Sequence, residues 1–76
     1  MSALSLKNVR AIAESAVRDL PGDFTIAAVL PARSAYAEVL VVGTRAGIEP
    51  TRVIVGIDRQ SSEGAIRATL AANLPQ

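Results

Sequence analysis

The chain reads as a two-layer α+β domain of element order α-β-β-β-α, a three-stranded antiparallel meander with both helices packed on one face. Three observations predict this. Residues 37–59 hold two strand-like runs, AEVLVVGT and RVIVGIDR, in which Val39, Val41, Val53, Val55 and Ile57 alternate with their neighbours at period two. The flanking segments, residues 6–20 and 61–74, repeat their apolar residues at helical spacing instead. The connections between the strand-like runs are too short for a parallel crossover, so the strands must be antiparallel.

Ser5 is placed to cap the first helix, its hydroxyl accepting from an orphan backbone N–H. Leu6, Val9, Ile12, Ala13, Ala16, Val17 and Leu20 then fall on one stripe, with Lys7, Arg10, Glu14, Ser15 and Arg18 mostly opposite. Glu14 and Arg18 stand four apart in the favourable order. Pro21-Gly22 ends the helix. Residues 24–30 are the first strand, with Phe24, Ile26, Ala28 and Leu30 on one face and Thr25, Ala27 and Val29 on the other. Either Ala27 and Val29 or Ile26 and Ala28 can join the open face, and the larger Phe24, Ile26 and Leu30 favour placing Ala27 and Val29 there. Residues 31–35 suit a hairpin loop. Residues 36–44 and 51–59 are the second and third strands, and Ala46-Gly47 and Glu49-Pro50 mark the turn between them.

A symmetric closure of that turn pairs Gly43 with Thr51, Val41 with Val53, Val39 with Val55 and Ala37 with Ile57. On the opposite face it pairs Val42 with Arg52, Leu40 with Ile54, Glu38 with Gly56 and Tyr36 with Asp58. Both faces keep one parity throughout, as they also would after a slip by two residues. Gly56 within a strand points to a bulge or a close backbone approach. Either Ser61 or Ser62 can cap the second helix, and Glu63 suits its first turn. Ile66, Thr69, Leu70, Asn73 and Leu74 form its stripe, and Pro75 stops it.

The 76 residues make one domain, spanning residues 1–76. A chain this small buries only about 60% of its unfolded surface, and such domains gain stability from disulfides, metals or self-association. There is no cysteine and no histidine, which removes disulfides, thiolate sites, the commonest metal ligand and the usual neutral-pH base. The formal net charge is +1, from 8 basic and 7 acidic residues, so no electrostatic funnel draws nucleic acid or a membrane surface. Half the residues are hydrophobic, yet there is one Phe, one Tyr and no Trp, so the core is aliphatic. No run approaches the roughly 20 apolar residues of a membrane helix, and Asn8, Arg10, Glu14 and Ser15 interrupt any secretory h-region. A cytoplasmic location is the expectation.

The sheet face opposite the helices is the main candidate site. A face left in water should be polar. Here Leu40, Val42 and Ile54 stand beside Val29 and Tyr36 in one apolar patch, with Glu38, Arg52 and Asp58 as a polar rim. Single-chain proteins rarely leave such a patch wet. The expected interface is therefore Val29, Tyr36, Glu38, Leu40, Val42, Arg52 and Ile54, and the expected partner is a second copy packing sheet on sheet. An unknown protein partner adding a strand to the first or third strand is a second mode.

Three lesser constellations carry less. Arg33, Arg45 and Arg52 could grip phosphates, but the loops place Arg33 and Arg45 at opposite ends of the meander. Arg59, Ser61 and Ser62 could hold an anion at the second helix, although every capped helix offers that geometry. The carboxylates Asp19, Asp23, Glu49, Asp58 and Glu63 have no metal-loop spacing. There is no glycine-rich phosphate loop, nucleophile elbow or nucleotide fingerprint. The sequence thus assigns no catalytic residue, no metal and no cofactor.

The element order, with helices on one face, is similar to that of double-stranded-RNA-binding domains. The segment SSEGAIRATLAANL, residues 61–74, resembles that family's serine-capped, alanine-rich second helix. The resemblance implies a nucleic-acid-binding alternative. The family's lysine cluster at the start of that helix corresponds here to Ser62, Glu63 and Gly64, with only Arg67 basic. Its Gly-Pro-x-His loop has no counterpart in residues 31–35. RNA contacts then lack their physical basis, and nucleic acid is disfavoured as a partner. The leading expectation is a small non-enzymatic interaction module that homodimerises through the open sheet face. A small ligand-binding or enzyme-accessory domain is the remaining alternative, and it would need a concave pocket lined by perturbed carboxylates.

Overall fold

The computed structural model describes residues 3–44 and 49–74. Its elements are α1 (Leu6–Arg18), β1 (Asp23–Pro31), β2 (Tyr36–Thr44), β3 (Thr51–Asp58) and α2 (Glu63–Asn73). The strands form one antiparallel sheet in the order β1-β2-β3, and both helices pack on the same side of it. α1 lies mainly over β1 and α2 over β3, with the two helices in contact. Arg45, the Ala46-Gly47 turn and Pro75 lie outside the described residues.

Each helix starts where a serine can cap it. Ser5 Oγ accepts from the Asn8 N–H at 3.1 Å, and Ser62 Oγ from the Ala65 N–H at 3.1 Å. α1 buries Val9, Ala13, Ala16 and Val17, the centre of its apolar stripe. It stops at Arg18, earlier than the sequence pattern suggests, because the Asp19 N–H turns back to the Ala16 carbonyl and caps the helix before Pro21 is reached. Glu14 pairs with Arg10 at 3.4 Å and not with Arg18. Arg10 is held there because its guanidinium also donates to the Ile26 carbonyl at 3.3 Å.

α2 buries Ile66 and Leu70, with Leu74 buried just beyond its end. Asn73, expected on that stripe, is exposed, and its amide donates to the Thr69 carbonyl at 2.8 Å. Arg67 ties the helices together by donating to Ser15 Oγ at 2.6 Å, Asp19 at 3.0 Å and Glu63 at 3.2 Å. The hydrogen bond to Glu63 raises the Arg67 pKa; desolvation opposes it and Asp19 adds to the rise, so the cation persists at any physiological pH. The chain start is docked beside the end of β3: the Leu4 N–H donates to the Arg59 carbonyl at 2.8 Å, and Arg59 Nη1 donates to the Leu4 carbonyl at 3.2 Å.

β2 and β3 pair in the register that symmetric closure predicts, from Tyr36 opposite Asp58 to Gly43 opposite Thr51. Val39, Val41, Val55 and Ile57 are consequently buried under the helices with Phe24, Ile26, Ile66 and Leu70. The glycine that a close backbone approach requires is Gly43, not Gly56. Gly43 has φ +148°, and a Cβ there would lie 2.0 Å from the Asp23 carbonyl oxygen. Around Gly56 a Cβ would meet nothing within 4 Å, and the β2–β3 register passes through it without a bulge.

The bulge lies in β1. Ile26 pairs with Val41 and Ala28 with Leu40, which leaves Ala27 as an extra residue. An inserted residue reverses the parity of everything after it. Val29 therefore stands opposite Val39 and packs against the core, while Leu30 stands opposite Glu38 and is 57% exposed. The expected placement of these two neighbours is thus exchanged.

Candidate interaction surface

The sheet face away from the helices is built from alternate residues of all three strands. β2 supplies Tyr36, Glu38, Leu40 and Val42, and β3 supplies Arg52, Ile54, Gly56 and Asp58. β1 supplies Thr25, Ala28 and Leu30, the partners of Val42, Leu40 and Glu38. The period-two alternation that buries Val39, Val41, Val55 and Ile57 forces these neighbours outward. Neither helix reaches this side, so no described element covers it.

Three large side chains here stay in water: Ile54 at 66%, Leu30 at 57% and Tyr36 at 50% exposure. Leu40 and Val42 lie between them, half-buried by their strand neighbours. Leu40 is the Cα partner of both Ile54 and Ala28, which places it at the centre of the patch. Charge sits around this apolar middle. Arg52 is beside Val42, Glu38 between Leu30 and Gly56, and Asp58 beside Tyr36. Asp58 Oδ1 also accepts from the Gln60 N–H at 2.9 Å, closing the turn after β3. No described residue forms an ion pair with Glu38 or Arg52.

Of the residues the sequence selects, Tyr36, Glu38, Leu40, Val42, Arg52 and Ile54 share this face. Val29 does not, because the bulge at Ala27 turns it toward the core. Leu30 and Ala28 take its place. No residue type marks the bulge, since Ala27, Ala28 and Val29 are all small and apolar and fit either face.

The other constellations do not assemble into sites. Arg59 Nη1 donates to the Leu4 carbonyl while its Nε is buried with no partner among the described residues, and Ser62 Oγ caps α2, so these groups do not converge on an open anion cradle. Arg67 is neutralised by Asp19 and Glu63. Arg33 and Arg52 are exposed at different places on the sheet. No three carboxylates come together as a metal set among the described residues. An open groove of about 280 Å³ runs between α1 and β1, lined by Glu14, Val17, Arg18, Phe24, Thr25 and Ile26. It offers a single carboxylate, already paired with Arg10, which is too little for acid–base work. No helix of the described residues is long and apolar enough to cross a membrane. No protein-family model, curated protein or solved structure matches this chain.

Proposed function

We propose that the protein is a small, non-enzymatic interaction module that homodimerises through its open sheet face. The observation that carries this reading is the exposure of Leu30, Tyr36 and Ile54 around half-buried Leu40 and Val42 on one sheet face. Patches of this kind mark contact surfaces. Burying a large aliphatic side chain is worth about 1.5–3 kcal/mol, a large increment for a domain whose own stability is of the order of 5 kcal/mol.

A second copy fits the chemistry of the face. An isologous contact sets each residue against the same surface rotated by a two-fold axis, so the face must be complementary to itself. This one has an apolar centre and a rim carrying Arg52 together with Glu38 and Asp58, so each copy brings both signs of charge. Two such sheets pack about 10 Å apart, with the inner side chains interleaved.

Sedimentation equilibrium over a micromolar concentration range tests the proposal. The native chain is expected to dimerise. Leu40→Glu places a charge at the centre of the patch and is expected to give a folded, soluble monomer. A native chain that stays monomeric, or a Leu40→Glu chain that unfolds, overturns the reading.

A further inference from the structure

We infer that the outer edge of β3 is a second self-association surface, on which β3 of another copy adds antiparallel and continues the sheet. The inference is independent of face-to-face packing and rests on the backbone.

The edge groups follow from the ladder. The Arg59 N–H donates to the Ala35 carbonyl at 2.8 Å, and the Ala32 N–H to the Tyr36 carbonyl at 2.9 Å. Strand groups alternate in direction, so Val53, Val55 and Ile57 direct theirs toward β2. Arg52, Ile54, Gly56 and Asp58 direct theirs outward; the Asp58 carbonyl accepts from the Ser61 N–H at 3.0 Å, and no described backbone group meets those of Arg52, Ile54 and Gly56.

The two sheet edges differ. β1 carries the devices that prevent strand addition: the bulge at Ala27, Arg10 bonded to the Ile26 carbonyl, and Pro31 at an outward position with no N–H to offer. β3 has neither proline nor bulge, and the described backbone groups that meet its edge do so at its end, Ser61 at the Asp58 carbonyl and Leu4 at the Arg59 carbonyl just beyond. α2 does not overhang it with long side chains. Arg67 points to α1, so the opposite flank of α2 is formed by Ala65, Thr69 and Asn73.

The outward residues select a second copy as the strand. When two copies of β3 meet antiparallel about a two-fold axis at Val55, Arg52 of each lies opposite Asp58 of the other. Ile54 of each lies opposite Gly56, whose side-chain position is empty in the single chain. Opposite charges directly across a ladder stabilise it, and like charges oppose it. Both charge pairs form in this register, and the exposed Ile54 gains a place to lie. The open faces of the two copies join edge to edge.

Amide hydrogen exchange over a concentration series tests this, on the native chain with Leu40→Glu alongside. The Ile54 and Gly56 amides are expected to exchange freely in dilute solution and at least tenfold more slowly at millimolar concentration, in both chains. Arg52→Asp and Asp58→Arg each set like charges opposite one another and lose the protection. An equimolar mixture of the two restores both pairs and regains it. If the native chain associates while these amides stay fast, the edge inference fails and the face reading stands. If the mixture protects no better than its components, the two-fold register is wrong. Should Leu40→Glu fail to fold, the native series still decides.

Discussion

Ile54 and Val55 are adjacent, both β-branched, and differ in which side of the sheet they serve. Ile54 is 66% exposed and Val55 2% exposed. Truncating each to alanine should separate association from folding. Full burial of an isoleucine is worth about 1.5–3 kcal/mol, so the exposed two-thirds of Ile54 has about 1–2 kcal/mol still to gain in a contact. A two-fold interface counts that twice, so Ile54→Ala should weaken dimerisation by about 2–4 kcal/mol, roughly 30- to 700-fold in Kd. The isolated fold should lose no more than about 1 kcal/mol, since only about a third of the side chain is covered within one chain. Val55→Ala should do the reverse, costing about 2–4 kcal/mol of folding stability by opening a cavity beneath α2. Sedimentation equilibrium reads the first quantity, and urea unfolding below the dimerisation range reads the second. The reasoning is refuted if Ile54→Ala unfolds the dilute chain as readily as Val55→Ala, or leaves Kd unchanged.

Other substitutions probe the fold that presents this face. Gly43→Ala should cost more than about 2 kcal/mol by thermal or urea unfolding, because the new Cβ has no room beside the Asp23 carbonyl and φ is +148°; near-neutral behaviour would show that β1 and β2 are not so close. Ser34→Gly should stabilise by about 0.5–1 kcal/mol in the same assay, since Ser34 holds φ 55° in the β1–β2 loop, where glycine meets no Cβ penalty. Ser62→Ala should cost about 1 kcal/mol by leaving the Ala65 N–H without its cap. An unchanged unfolding midpoint would place the start of α2 elsewhere.

Much of this architecture is written in local patterns. The helical stripes and serine caps define α1 and α2 with little reference to the rest of the chain. Parity narrows the β2–β3 register to steps of two and symmetric closure of the turn selects the one observed, and Leu40, Val42 and Ile54 mark a second apolar face. The membership of that face was open at one strand only. In β1 the run Ala27-Ala28-Val29 satisfies either parity, so no local preference decides which residue is the extra one.

Tertiary packing decides it. β1 must meet Gly43 closely at one end, where Phe24 stands opposite, and bring Pro31 opposite Ala37 at the other. Those two fixed ends leave one residue too many between them. Ala27 is expelled from the ladder, Val29 turns inward, and Leu30 is left in water. Gly43 rather than Gly56 marks the tight crossing for the same reason: closeness belongs to the neighbouring strand, and a glycine does not announce its neighbour. The period of side chains along a strand is a property of the strand itself, whereas the strand's length relative to its partner is fixed only when both ends are held.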